Sequence, residues 1–301
     1  MFNSFSKCMF DRYTDVRNKL IASPAGLIAC ENFIHNAIKV TLRKNLKEFC
    51  EDYNEASYMY PFWQNYPPEE RGRAPKGDQF PWIEVGEHSV GCKLARLLSL
   101  KFDLREVGLP SGPDQRFMLR SPKIQKLLKF TDTVMVLIDV KSVGPRDDFE
   151  HTVLSPYQVS GDGLWLTPSQ GIHNTVLKAT GCRTNHSFHC ALPPVYVSSK
   201  LRVAPSISVF VKPTYSMVDA DDNNGKTIGQ PLSRLTIATL PNGLLLTQNP
   251  NYLKTWPRLF FPGKDDKSKS DNRRRARISF PVLKEIADWR VQSIAIINNH
   301  S

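Results

Sequence analysis

The spacing of apolar residues changes character twice along the chain. From residue 25 to residue 49 they recur at helical intervals (Leu27, Phe33, Ile34, Ile38, Leu42, Leu46, Phe49), and Ser23-Pro24 ahead of them suits a helix start. One long amphipathic helix is predicted there. Residues 60–82, YPFWQNYPPEERGRAPKGDQFPW, carry five prolines and two glycines and predict an irregular surface segment. Helical spacing resumes from Glu84 to Leu100, with Val90, Leu94, Leu97 and Leu98 inward. FDLREVG predicts a short strand, SPKIQKLLK a short helix capped by Ser121, and TVMVLIDVKSV the strongest strand of the chain. After residue 190 the pattern turns β-rich. PPVYVSS, LRVAPSISVFVKP and RLTIATLPNGLLLTQ read as strands, with Asn242-Gly243 as a tight hairpin turn. A helix over 281–288 and a final strand, RVQSIAII, close the chain. This order predicts an α/β fold with a central mixed β-sheet flanked by helices, and 301 residues suit one large domain or two modest ones.

The strongest strand ends in an unexpected way. Asp139 and Lys141 interrupt its apolar run and, by strand alternation, point to one face. Pro113-Asp114 lies upstream, which completes a PD…D-x-K pattern. Two carboxylates at a strand end offer hard oxygen ligands for Mg²⁺, and a bound divalent ion acidifies water and offsets charge as a phosphodiester is attacked. Lys141 can orient that water and hold the phosphate. The Val140 carbonyl is a further candidate ligand. Glu84 and Glu87 stand at a helix start, where acids favour the helix dipole; Glu87 is the preferred candidate for a third metal-binding carboxylate.

Charge sharpens this picture. The net charge of +11 and pI of about 9.4 fit a polyanion binder, with nucleic acid the default partner. No apolar stretch has the length of a membrane span, and the N-terminus lacks a signal-peptide core, so a soluble cytoplasmic protein is expected. The six cysteines form no CxxC pair and read as reduced thiols. Cys182, His186, His189 and Cys190 have residue types suited to zinc. Their spacing fits no common finger or ribbon, so zinc is the weaker reading.

The basic stretch over 261–278, FPGKDDKSKSDNRRRARI, contains acids that a plain phosphate-gripping patch would avoid. Near DNA a carboxylate is repelled by phosphates unless it accepts from a base. Cytosine N4 is the natural donor, while guanine O6 and N7 accept from Arg or Lys. Asp265 and Asp266 among lysines and arginines therefore suggest reading of G·C pairs, and Asp147, just past Lys141, is a further acid near the expected phosphate path.

The stretches DYNEA, PFWQNYPP, PKGDQFPWIEVGE, GLPSGPD, FTD, DVKSVGPRD, LSPYQVSG, PNGL and PGKDD, in order from about residue 51 to 280, resemble the BglI-type restriction endonucleases of the PD-(D/E)xK nuclease superfamily. The resemblance implies a type II site-specific deoxyribonuclease with Mg²⁺ as cofactor, acting on double-stranded DNA as a homodimer. It implies an interrupted palindrome of GCC half-sites separated by five unspecified pairs, and a cognate DNA methyltransferase in the same host. Metal-binding aspartates fall on Asp114 and Asp139 and the catalytic lysine on Lys141. Base-reading residues fall on Asp147, Lys264, Asp266, Arg275 and Arg277. The catalytic core is then expected at about 80–160 and a DNA-reading, β-rich part at about 190–280. Rival readings are a nuclease of the same superfamily acting in repair or junction cleavage, a non-catalytic DNA-binding protein, and a zinc-dependent hydrolase.

Overall fold

The computed structural model describes residues 4–63, 65, 67, 85–143, 149–216, 218–219, 227–262, 270 and 273–296. Three helices open the chain: α1 Ser4–Ala22, α2 Pro24–Lys44 and α3 Leu46–Trp63. The long helix expected from the apolar spacing is therefore two. Asn45 breaks it, because its side-chain amide donates to the Thr41 carbonyl (2.7 Å) and so competes with the backbone ladder. The apolar stripe runs through the break, and Leu27, Ile34, Ile38, Leu42 and Phe49 are all buried. α1 has no counterpart in the sequence reading, since its surface is largely polar. Only a few side chains, Tyr13, Val16 and Leu20 among them, reach the core.

A π-helical turn, Glu87–Cys92, runs into α4 Lys93–Ser99. Two antiparallel strands follow, β1 Asp103–Glu106 and β2 Gln115–Arg120, then α5 Pro122–Leu128, whose Ser121 cap accepts from the Lys123 N–H. β3 Thr133–Val140 is buried along its whole length. Beyond it lie β4 His151–Leu154, the hairpin β5 Leu177–Thr180 and β6 Asn185–Phe188, β7 Val195–Val197, and the long strand β8 Val203–Tyr215. The pair β9 Val218–Asp219 and β10 Thr227–Gly229 precedes β11 Leu232–Thr239. Short helices α6 Gly243–Thr247 and α7 Tyr252–Thr255, strands β12 Phe260–Pro262 and β13 Ala276–Ser279, helix α8 Phe280–Ile286 and strand β14 Val291–Ala295 complete the order.

Asn242-Gly243 is not the expected hairpin turn. Asn242 has an extended backbone (φ −55°, ψ 148°) and its side chain caps α6 by accepting from the Leu244 N–H. Gly243 is needed for closeness, since a Cβ there would sit 1.9 Å from the Gly161 carbonyl oxygen.

The main sheet runs β1-β2-β3-β8-β11-β14, with β7 also paired to the first part of β8. Only β3–β8 is parallel among these pairs, so the sheet is mixed, as expected. Val134, Val136 and Ile138 of β3 enter the large core shared with α1, α2, α3 and α4; each such burial contributes about 1.5–3 kcal/mol. Met135 and Leu137 point to the other face, against Leu192 and Ala204. That second face also carries a three-stranded sheet, β12-β13-β4, packed through Leu154, Phe260, Ala276 and Ile278 onto Phe210 of β8. No helix among the described residues is long and apolar enough to cross a membrane.

Candidate active site

Alternation along β3 carries the Met135–Leu137 face on to Asp139 and Lys141, where the apolar cover ends. Asp139 is 2% exposed. The Lys141 Nζ lies 2.5 Å from Asp139 Oδ2, while the lysine itself is half-buried. On the other face Val140 is packed by the π-helical turn: a Cβ on Gly91 would lie 3.1 Å from Val140 Cγ2, and one on Gly86 would overlap Ser142 Oγ at 1.9 Å. Glycines at 86 and 91 let the turn lie flat against the strand end, and Glu87 follows directly. π-Turns of this kind recur at functional sites.

β2 begins at Gln115, paired with Ile138, so the edge of β3 beyond Ile138 lacks a strand neighbour on that side. Asp114 fills the place with its side chain, Oδ2 accepting from the Val140 N–H at 2.6 Å. In a strand the carbonyl of a residue points to the same edge as its N–H, so the Val140 oxygen faces this edge too. The loop reaches this position through Gly112, whose φ of +126° and close approach to the Tyr157 carbonyl (2.4 Å for an added Cβ) exclude other residues.

Gln158, which the sequence reading passed over, completes the inner shell. Its Nε2 donates to Asp139 Oδ1, and its Oε1 accepts from the Ser155 N–H at 2.8 Å. Ser155 and Gln158 form a capping box on the turn Pro156–Gln158, a serine and glutamine three apart that the sequence does display.

Burial pushes the Asp139 carboxyl up to about 7. The Lys141 ammonium opposes that shift, and the Asp114 carboxylate adds to it. A carboxylate so disfavoured in charge, a second carboxylate and a backbone carbonyl at one strand end make a hard-oxygen donor set that fits a divalent cation of the Mg²⁺ type. Among the described residues, no group of three or more His, Cys, Asp and Glu side chains is placed to hold a metal. Asp114 and Asp139 thus stand as a pair, with Glu87 half-buried at the start of the neighbouring turn.

The site opens into a cleft of about 380 Å³ lined by Val140, Lys141, Ser142, Val153, Ser155, Gln158 and Arg275. Arg275 and Arg277 flank the buried Ala276 and, by alternation, share the face of β13 turned from the core; Arg277 pairs across the sheet with Val153 of β4. The Arg275 carbonyl accepts from His186 Nε2 (2.9 Å). Lys264 and Asp266 fall within 263–269 and Asp147 within 144–148, outside the described residues. The strands on either side of the first of these segments are described: Pro262 of β12 pairs with Ala276 of β13. The Cys/His group disperses. Cys182 is exposed, His186 bonds Arg275, and Cys190 is buried in the core behind β4, where burial pushes its thiol up.

The model of the family described as restriction endonuclease BglI matches residues 8–294. The type II restriction enzyme BglI of Bacillus subtilis is 43% identical over 299 residues, covering 98% of this chain and 99% of that protein. The crystal structure of BglI bound to its DNA recognition sequence superposes with a TM-score of 0.88 at 42% identity, covering 98% of this chain and 99% of that one. The tetrameric restriction endonuclease SfiI, solved with cognate DNA, shares the fold at a TM-score of 0.59 and 16% identity, over 91% of this chain and 86% of its own. The α/β architecture and the BglI resemblance read from the sequence both hold, and this chain belongs to the BglI restriction endonuclease family.

Proposed function

We propose that this family member hydrolyses phosphodiester bonds of double-stranded DNA with Mg²⁺, at an interrupted palindrome of GCC half-sites separated by five unspecified base pairs. The observation that carries the reading is the end of β3, where Asp139 and Lys141 meet Asp114 at a cleft whose lining includes Arg275. The likeness to BglI, solved on its DNA recognition sequence, supports DNA as the substrate.

Mg²⁺, when bound, supplies Lewis acidity and makes water a better nucleophile. Asp114 and Asp139 hold the cation with the Val140 carbonyl, and Glu87 adds a carboxylate from the π-helical turn. Lys141 keeps its ammonium between Asp139 and the cleft, where it holds the scissile phosphate and orients the attacking water. Arg275 and Arg277, with Lys264, Asp147 and Asp266, read G·C pairs: the cations donate to guanine and the carboxylates accept from cytosine N4. An interrupted palindrome requires two equivalent readers, hence a homodimer. The chain works as one domain over 1–301, in the cytoplasm, beside a methyltransferase that protects host sites.

Digestion of a sequenced plasmid with and without Mg²⁺, followed by end mapping, tests this. Discrete Mg²⁺-dependent ends at GCC half-sites are expected. Random nicking, or cleavage in EDTA, overturns it. Ultracentrifugation on the mapped site should give two chains per duplex; one chain would refute the dimer.

A further inference from the structure

Gln158 is 7% exposed, and both ends of its amide are engaged. The oxygen is held by the Ser155 N–H, in a turn fixed by its capping box, so the side-chain torsions have little freedom left. The nitrogen donates to Asp139 Oδ1, and Asp139 Oδ2 faces Lys141. The two oxygens of this carboxylate are therefore differentiated by their neighbours. We propose that Gln158 is a positioning residue for the metal-binding carboxylate: it ties down Asp139 Oδ1 and turns Oδ2 to the cation and to Lys141. The inference rests on the reading of Asp139 as a metal ligand.

Two further observations separate this role from that of a turn former. A capping box accepts glutamate as readily as glutamine, because the cap uses only the side-chain oxygen. The –NH₂ group is thus surplus to the turn, and it is this group that meets Asp139. The turn also continues directly from β4, whose residues pair with β13, the strand of Arg277. Gln158 therefore links the orientation of the Asp139 carboxylate to the sheet that carries Arg277 and that Arg275, which lines the cleft, leads into. An ion pair with Lys141 alone would leave the carboxylate free to rotate about its last torsion; a donor on the other oxygen removes that freedom.

The test uses the full chain with three substitutions, Gln158→Glu, Gln158→Met and Asp139→Ala. Mn²⁺ binding is read by electron paramagnetic resonance on the DNA-free protein. Plasmid cleavage is read across a Mg²⁺ series, and thermal unfolding is followed in EDTA. Q158M should weaken Mn²⁺ binding about tenfold and shift the Mg²⁺ midpoint alike, as loss of one charge-assisted hydrogen bond implies. Q158E keeps the cap but cannot donate when ionised. It should remain folded, with its maximal cleavage rate at saturating Mg²⁺ down by about a hundredfold. Wild-type Mn²⁺ binding and maximal rate in Q158E would overturn the proposal, as would a lower unfolding midpoint in Q158M as its sole change. Tighter Mn²⁺ binding by Q158E at an unchanged rate would overturn it too, since the new carboxylate would then be a plain extra ligand. If Q158M does not fold, Q158E decides alone. D139A separates the layers: full cleavage and Mn²⁺ binding in that variant would refute Asp139 as a ligand, whereas their loss beside a wild-type-like Q158E would refute Gln158 alone.

Discussion

Among the described residues, two carboxylate–cation pairs have a buried carboxylate, and they have different work. Glu31 of α2 and Arg290 are both fully buried, 2.7 Å apart. Glu31 Oε1 also accepts from the Asn242 N–H, and Arg290 donates to the Thr239 carbonyl while its guanidinium stacks 4.5 Å from the Trp289 ring centre. Burial raises the Glu31 carboxyl, while Arg290 and the Asn242 N–H pull it back down. Asp139 and Lys141 make the second pair, closed by Gln158 on one side and open to a cleft on the other. A charge pair closed on all sides clamps helix, strand and C-terminal segment together. A pair with one open side keeps unspent electrostatic potential for a ligand. Burial by itself does not separate the two; the opening does.

Asp139→Ala would break the comparison most sharply. Cleavage should fall by at least about a thousandfold while the circular dichroism spectrum and metal-free DNA binding persist. Substantial residual cleavage in a gel assay would move Asp139 to the scaffold side.

Arg290→Met should do the reverse. It strands a buried carboxylate and should cost about 3–5 kcal/mol in urea unfolding, with cleavage per folded molecule unchanged. Glu31→Gln in the same chain should recover part of that loss. If the double variant is no more stable than the single one, the pair is not the clamp described.

Asp139→Asn probes the open pair by pH. The folded carboxyl, raised from 3.8 to about 7, holds its proton more tightly than in the unfolded chain. Metal-free wild-type stability should therefore fall as pH rises from about 4 to 7 and stay low above it. The amide carries no such charge. In EDTA, D139N should be more stable than wild type at pH 8 by a few kcal/mol, with the gap closing towards pH 4. A gap independent of pH, measured by calorimetry, would show that the Asp139 charge is not the burden.

Arg275→Ala carries the smallest expected effect. It should cost roughly 1–3 kcal/mol of discrimination at one base pair, seen as new cleavage at single-pair variants, with the preferred site still cut. A uniform loss on every sequence would make Arg275 a phosphate contact.

The open pair was legible in the sequence and the closed one was not. β3 announces itself as an apolar run that ends in D-x-K, and the Asp114–Val140 contact follows the PD…D-x-K order. Local alternation suffices to place Asp139 and Lys141 on one face. Glu31 and Arg290 stand 259 positions apart, and no periodic pattern links them. Gln158 lies between these extremes. Its capping box is a local signal, but its bond to Asp139 depends on how a later turn folds back on the strand end. Asn45 and Asn242 show the same limit in local structure. Each asparagine can bond either outward or to its own backbone, and the surrounding packing selects which.

The single parallel pair in the main sheet has a consequence for when the site exists. Met135 pairs with Ser206 and Val140 with Val211, so the Asp139 end of β3 waits for a strand roughly 70 residues further along the chain. A ribosome releases the chain from its N-terminus, so Asp114, Asp139 and Lys141 emerge well before the neighbour that buries them. β2 and β3, which pair antiparallel around the intervening α5, can form early, but the cleft, which also needs Arg275, cannot. Synthesis itself therefore imposes a delay: the Asp114, Asp139 and Lys141 cluster lacks its β8 neighbour until that strand has emerged.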